Sequence, residues 1–112
     1  MYKEKIKVFL EDNDEIFFGY GIVSVLKTIE KTGTIKAASI ETGISYSKIL
    51  TILDRAERIL GYKIVNKKRG GIGGGAATLS KEIKELIEKY ETYKEDISSY
   101  AKEKFKEYFN NK

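Results

Sequence analysis

The chain has 112 residues, 41% of them hydrophobic, and carries 21 Lys or Arg against 17 Asp or Glu for a net charge of +4; that is enough for one core in a single domain. It contains no Cys, His, Pro or Trp, which excludes disulfides and thiolate chemistry and removes the commonest general base and metal ligand. No apolar run has the length of a membrane span and the charged N-terminus has no signal-peptide core, so the sequence reads as a cytoplasmic protein without membrane contact.

In chain order, "KIKVFLEDNDEIFFG" alternates around an Asn-Asp turn, with Ile6, Val8 and Leu10 on one face, and predicts a hairpin of strands 5–11 and 15–18. Its acidic tip does not match a calcium loop, because Ile16, Phe17 and Phe18 stand where later ligands and a central glycine are needed. "GYGIVSVLKTIEKTG" places Ile22, Val25, Leu26 and Ile29 on one helical stripe and stops at Gly33. Thr34 caps a short second helix that Gly43 ends. Ser45 caps a longer third, whose buried stripe is Ile49, Ile52, Leu53, Ala56 and Leu60, with Gly61 as its stop. "YKIVNK" and "ATL" read as short strands on either side of a glycine loop, and Ser80 caps a last helix.

This order of helix, short helix, turn, longer helix, strand, loop, strand, helix predicts a mainly α fold with small β structure: a winged helix-turn-helix with an N-terminal β-hairpin and a long C-terminal helix. In such a unit the second helix of the pair enters the major groove of double-stranded DNA. Here that is helix 45–60, with Ser45, Tyr46, Ser47, Lys48, Thr51 and Arg55 on its exposed face, side chains able to reach phosphates and base edges. The charge agrees: residues 34–69 hold eight Lys or Arg against Glu41, Asp54 and Glu57, so the whole positive excess lies in this third of the chain. A localised basic patch suits a polyanionic partner, the alternative being a solvated basic face.

Segment 80–109 would run about 45 Å if helical throughout. Ile83, Leu86, Tyr90, Tyr93, Ile97 and Tyr100 step by 3 and 4 along it, a heptad seam that predicts a homodimer, the alternative being a helix folded back on its own domain, which so long a rod would overhang. After Tyr100 the phase shifts to Ala101, Phe105, Tyr108 and Phe109, an end suited to packing on the hairpin. The organisation expected is a DNA-binding unit over 1–79 and a dimerisation helix over 80–112, forming one compact body.

"TGTIKAASIETGISYSKI" through "VNKKRGGIGGGAATLS" resembles the N-terminal DNA-binding domain of the ModE family of molybdate-responsive regulators, and more loosely the LysR-type winged helices, over roughly residues 19–90. The glycine wing is the specific part. The resemblance implies a dimer joined through the long terminal helix and a wing, 67–76, that contacts DNA. The wing candidates are Lys67, Lys68, Arg69, Gly71, Ile72, Gly73 and Gly74, and Thr34 and Lys36 at the start of the short helix join the recognition helix. Three positions depart from the family: Lys36 stands where a small hydroxyl residue is common, Ile72 replaces a basic residue in the wing, and Ile83 replaces a glycine. The family's oxyanion-binding domains follow this domain, whereas the chain ends at Lys112; the expectation is therefore a stand-alone DNA-binding unit with no small-molecule effector site.

An enzyme reading fails on context. Gly71, Gly73 and Ala76 form a G-x-G-x-x-A between a strand and a helix, but no second parallel strand follows, and no phosphate loop ending in Gly-Lys-Ser/Thr is present. Neither an enzyme activity nor a cofactor or metal is expected. The remaining alternative is a dimeric module for protein partners or RNA, for which the single "RGG" at Arg69–Gly71 offers one triplet of what is normally a repeated tract.

Overall fold

A computed structural model describes residues 2–68 and 76–109. Two short strands, β1 (Leu10–Asp12) and β2 (Glu15–Phe18), form an antiparallel hairpin. Asn13 and Asp14 both take the left-handed conformation at its turn, as a tight two-residue hairpin loop with the right twist requires. Helices α1 (Tyr20–Thr32), α2 (Ile35–Thr42) and α3 (Tyr46–Leu60) follow, then the antiparallel pair β3 (Val65–Lys68) and β4 (Ala76–Leu79), and finally α4 (Lys81–Phe109). This is a winged-helix arrangement with a long C-terminal helix. The tip of the β3–β4 ribbon lies outside the described residues.

Local signals set the helix ends. The Thr34 hydroxyl accepts from the Ala37 amide at the start of α2, and Ser45 does the same for the Lys48 amide at the start of α3. Ser80 accepts from the Ile83 amide at the start of α4. Gly43 ends α2 with φ 76, a left-handed turn that swings the chain into α3 at no Cβ penalty.

The core joins all parts of the fold. Phe18, Val25, Leu26, Ile29, Ile49, Ala56, Ile64 and Ile83 are almost fully buried in one cluster, and burying each of these side chains other than Ala56 contributes about 1.5–3 kcal/mol. Ile49, Leu53 and Ala56 anchor α3 in the core, while Ile52 and Leu60 of the expected stripe are only half-buried at its margin. The wing is tied to the helices by backbone bonds: the Ala77 amide donates to the Gly33 carbonyl (2.7 Å) and the Ser80 amide to the Ile64 carbonyl (3.0 Å). Glu57 of α3 accepts from the Ile64 amide at 2.9 Å, fixing the entry to β3.

The hairpin is shorter than its sequence pattern predicts. Pairing begins at Leu10, which already faces Phe18. Residues before Leu10 would need partners beyond Phe18, where Gly19 and α1 begin, so 5–9 cannot extend the ladder. They run along α4 instead. The Tyr90 hydroxyl donates to the Val8 carbonyl (2.8 Å), and Tyr2 meets Phe105 edge-on at 5.9 Å between ring centres. The six residues from Tyr2 to Val8 span about 20 Å when extended, close to the rise of the fifteen from Tyr90 to Phe105 in a helix. The N-terminal arm therefore lies antiparallel to the rod. Phe9 covers Gly19 so closely that a Cβ there would come within 2.5 Å of its ring.

The first turns of α4 belong to the same core. Ile83, Ile87 and Tyr90 are buried, and Tyr90 stacks edge-on against Phe18 at 5.3 Å. Lys27–Glu91 and Glu30–Lys84 ion pairs also bridge α1 and α4. Beyond Tyr90 the helix leaves the core, and the molecule reaches 60 Å in its longest dimension against 30 and 22 Å in the others.

Candidate nucleic-acid interface

The face of α3 opposite its buried stripe carries the side chains expected to meet DNA. Tyr46, Ser47, Lys48, Thr51 and Arg55 are all exposed, as is the capping Ser45. They occur there because a helix anchored through Ile49, Leu53 and Ala56 turns positions 47, 48, 51 and 55 outward. Two of the hydroxyls are partly committed to the backbone. Ser45 serves as the cap, and Thr51 Oγ1 donates to the Ser47 carbonyl at 3.1 Å. Thr34, expected at the start of the short helix, is half-buried and holds the cap of α2, whereas Lys36 is exposed beside it.

The exposed cations divide into two groups. Among the described residues Lys36, Lys48, Lys67 and Lys68 form no ion pair, so their charge faces solvent. Arg55 and its neighbour one turn on, Arg58, are instead drawn onto Glu15 at the start of β2. The Arg58 Nη2 lies 2.7 Å and the Arg55 Nε 3.4 Å from Glu15 Oε2. The hydrogen bond from Arg58, joined by the charges of Arg58 and Arg55, holds the Glu15 carboxyl below its usual range. The sequence reading named Arg55 and missed both Arg58 and Glu15. Lys48, Thr51, Arg55 and Arg58 step by 3, 4 and 3 and so form one helical stripe, but an acid 43 residues away from Arg58 gives no local signal.

In the wing, Lys67 and Lys68 stand on β3 opposite Ala77 and Ala76. Consecutive strand residues point to opposite faces, so Lys67 shares the face of buried Val65 and Ala77, and Lys68 the outer face with Asn66 and Thr78. Arg69, Gly71, Ile72, Gly73 and Gly74, the rest of the expected wing set, lie outside the described residues. Among the described residues there is no group of acidic side chains suited to hold a metal ion, and no helix long and apolar enough to cross a membrane.

A helix-turn-helix with an exposed hydroxyl, Lys and Tyr face and a two-stranded wing is now in place. The chain is similar to the transcriptional regulator ModE. It is 28% identical over 87 residues to the DNA-binding transcriptional dual regulator ModE of Escherichia coli K12, a match covering 78% of this chain and 33% of that protein. The transcriptional regulators ModE of Escherichia coli O157:H7 and Shigella flexneri match to the same extent. The chain thus spans about a third of the length of the relatives it matches. No family profile matches it.

The heptad seam expected on α4 is divided by the tertiary structure. Ile83 is fully buried and Tyr90 nearly so in the chain's own core, and Leu86 is half-buried against it. Ile83 and Tyr90 therefore have almost no surface left for a second copy, and Leu86 only part of its own. The inward stripe runs instead through Ile83, Ile87 and Tyr90 and continues through half-buried Lys94, Ser98, Ala101 and Phe105 beside the N-terminal arm. Tyr93, Ile97 and Tyr100 lie on the adjacent stripe, and are 55%, 37% and 60% exposed. The contact expected between the end of the helix and the hairpin is made by the arm that precedes it, through Tyr2 and Phe105.

Proposed function

We propose that the chain is a sequence-specific double-stranded DNA-binding transcriptional regulator that acts as a homodimer. The observation that carries this reading is the outward face of α3: Tyr46, Ser47, Lys48 and Thr51 stand exposed on a helix whose other side is locked into the core. Its N-terminal half enters the major groove, where Lys48 can donate to guanine and the hydroxyls of Ser47 and Thr51 can contact either base type. Lys36 at the start of α2 and Lys67 and Lys68 at the base of the wing neutralise phosphates on either side. The likeness to ModE, named as DNA-binding, supports the same partner.

The dimer is joined through the exposed Tyr93, Ile97 and Tyr100 of α4. These three apolar side chains on a rod that outruns its own core suit a second copy of the same helix. A two-fold protein then reads an approximately palindromic site whose half-sites lie about one helical turn, or a multiple, apart. Binding-site selection from a random duplex pool tests the proposal directly. Enrichment of a palindrome supports it, and an unenriched pool together with salt-independent retention refutes it in favour of a protein-binding module.

A further inference from the structure

The recognition helix has two electrostatically different halves. Lys48 and Thr51 in the first two turns face solvent, while Arg55 and Arg58, on the same stripe in the last turns, both converge on one carboxylate of the N-terminal hairpin. The geometry leads us to propose that Glu15 is a specificity-determining residue: it holds Arg55 and Arg58 in a clamp that halves their charge, confining DNA contact on α3 to the Tyr46–Thr51 half. The inference rests on the DNA-binding reading and adds to it a role for the hairpin beyond the core packing of Phe18.

Where arginines at the far end of such a helix meet the phosphate backbone, the contacts carry no sequence information. Two uncompensated arginines there would strengthen binding to every duplex and so reduce the ratio of specific to non-specific affinity. Glu15 limits this. It sits at the first position of β2, paired across the turn with Asp12, and β2 packs on α3, so the carboxylate is carried by a fixed strand. One oxygen serves both arginines, so the clamp leaves a net of one positive charge where two would stand. Lys48 and Lys36 have no such partner among the described residues.

The test compares the full chain with Glu15→Gln and with Asp14→Asn, which removes the same unit of charge from the neighbouring hairpin position without touching the arginines. The probe is a random-sequence duplex, titrated by fluorescence anisotropy between 50 and 200 mM salt. Each new phosphate contact adds about 0.9 to the slope of log K against log salt, so Glu15→Gln should steepen the slope by about 1–2 and bind the random duplex more tightly. Asp14→Asn should keep the parental slope. In an Arg55→Gln/Arg58→Gln background, Glu15→Gln should have no further effect, and circular dichroism should report the same helicity throughout. Equal slopes for the parent and Glu15→Gln, or equal steepening by Asp14→Asn, overturn the clamp while leaving DNA binding intact. Absence of salt-dependent duplex binding by the parent and both variants removes the DNA reading and the clamp with it.

Discussion

Replacing both Lys67 and Lys68 by Ala probes the wing with an effect that can be sized from the structure. The interface presents four lysines without an ion pair among the described residues: Lys36, Lys48, Lys67 and Lys68. If each meets one phosphate, they contribute about −3.6 per protomer to the slope of log K against log salt, and removing the wing pair lowers that contribution to about −1.8. Each lost contact reduces by about 3.5-fold the affinity drop that accompanies a fourfold rise in salt. The single variants refine the result. Lys67 and Lys68 point to opposite faces of the ribbon, so one single substitution should carry most of the change if the wing lies flat on the backbone, and the two should share it if the wing straddles the duplex edge. Anisotropy titration at several salt concentrations measures both. A double variant with the parental slope would refute the assignment of the wing to phosphate contact; both lysines are exposed, and circular dichroism checks that the variant keeps its fold.

Further outcomes follow from the rod and the core. Tyr93→Lys/Ile97→Lys should convert a dimer into a monomer with unchanged helicity in analytical sedimentation, and a monomeric parent at micromolar concentration would defeat the dimer reading. Ile83→Ala should lower unfolding free energy by about 2–5 kcal/mol in urea titration, because Ile83 lies fully buried in the protomer's own core; a change below about 0.5 kcal/mol would contradict that placement. Tyr90→Phe removes the hydrogen bond to the Val8 carbonyl and should cost about 0.5–1.5 kcal/mol, with faster proteolysis of the N-terminal arm as a second readout. Burial chiefly, with Glu91 beside it, raises the Tyr90 phenol above its ordinary value of about 10, and burial with Glu82 and Glu85 does the same for Tyr62. The fold therefore favours both neutral phenols. Their contribution is complete below pH 10 and is lost as the pH rises through the raised values, so unfolding free energy should decline only in that alkaline window.

The helices of this protein and their ends were legible from neighbouring residues alone. Thr34, Ser45 and Ser80 cap, and Gly33, Gly43 and Gly61 terminate, because each acts on backbone groups within one helical turn. The outward side of α3 was equally legible, since a 3.6-residue period separates Ile49, Leu53 and Ala56 from Ser47, Lys48 and Thr51 whatever the rest of the chain does. Three features depended on residues far apart in sequence. Only the packing of β2 on α3 brings Glu15 to Arg55 and Arg58 and divides α3 electrostatically. Only the start of α1 at Tyr20 denies residues 5–9 a strand partner and sends the arm along α4. The 3–4 spacing from Ile83 to Tyr100 also left one question open, because a helix seam has the same period whether it meets its own domain or a second chain. The core took Ile83 and Tyr90, and left Tyr93, Ile97 and Tyr100 outside because the inward stripe runs on through Lys94, Ala101 and Phe105 and turns the neighbouring stripe to solvent.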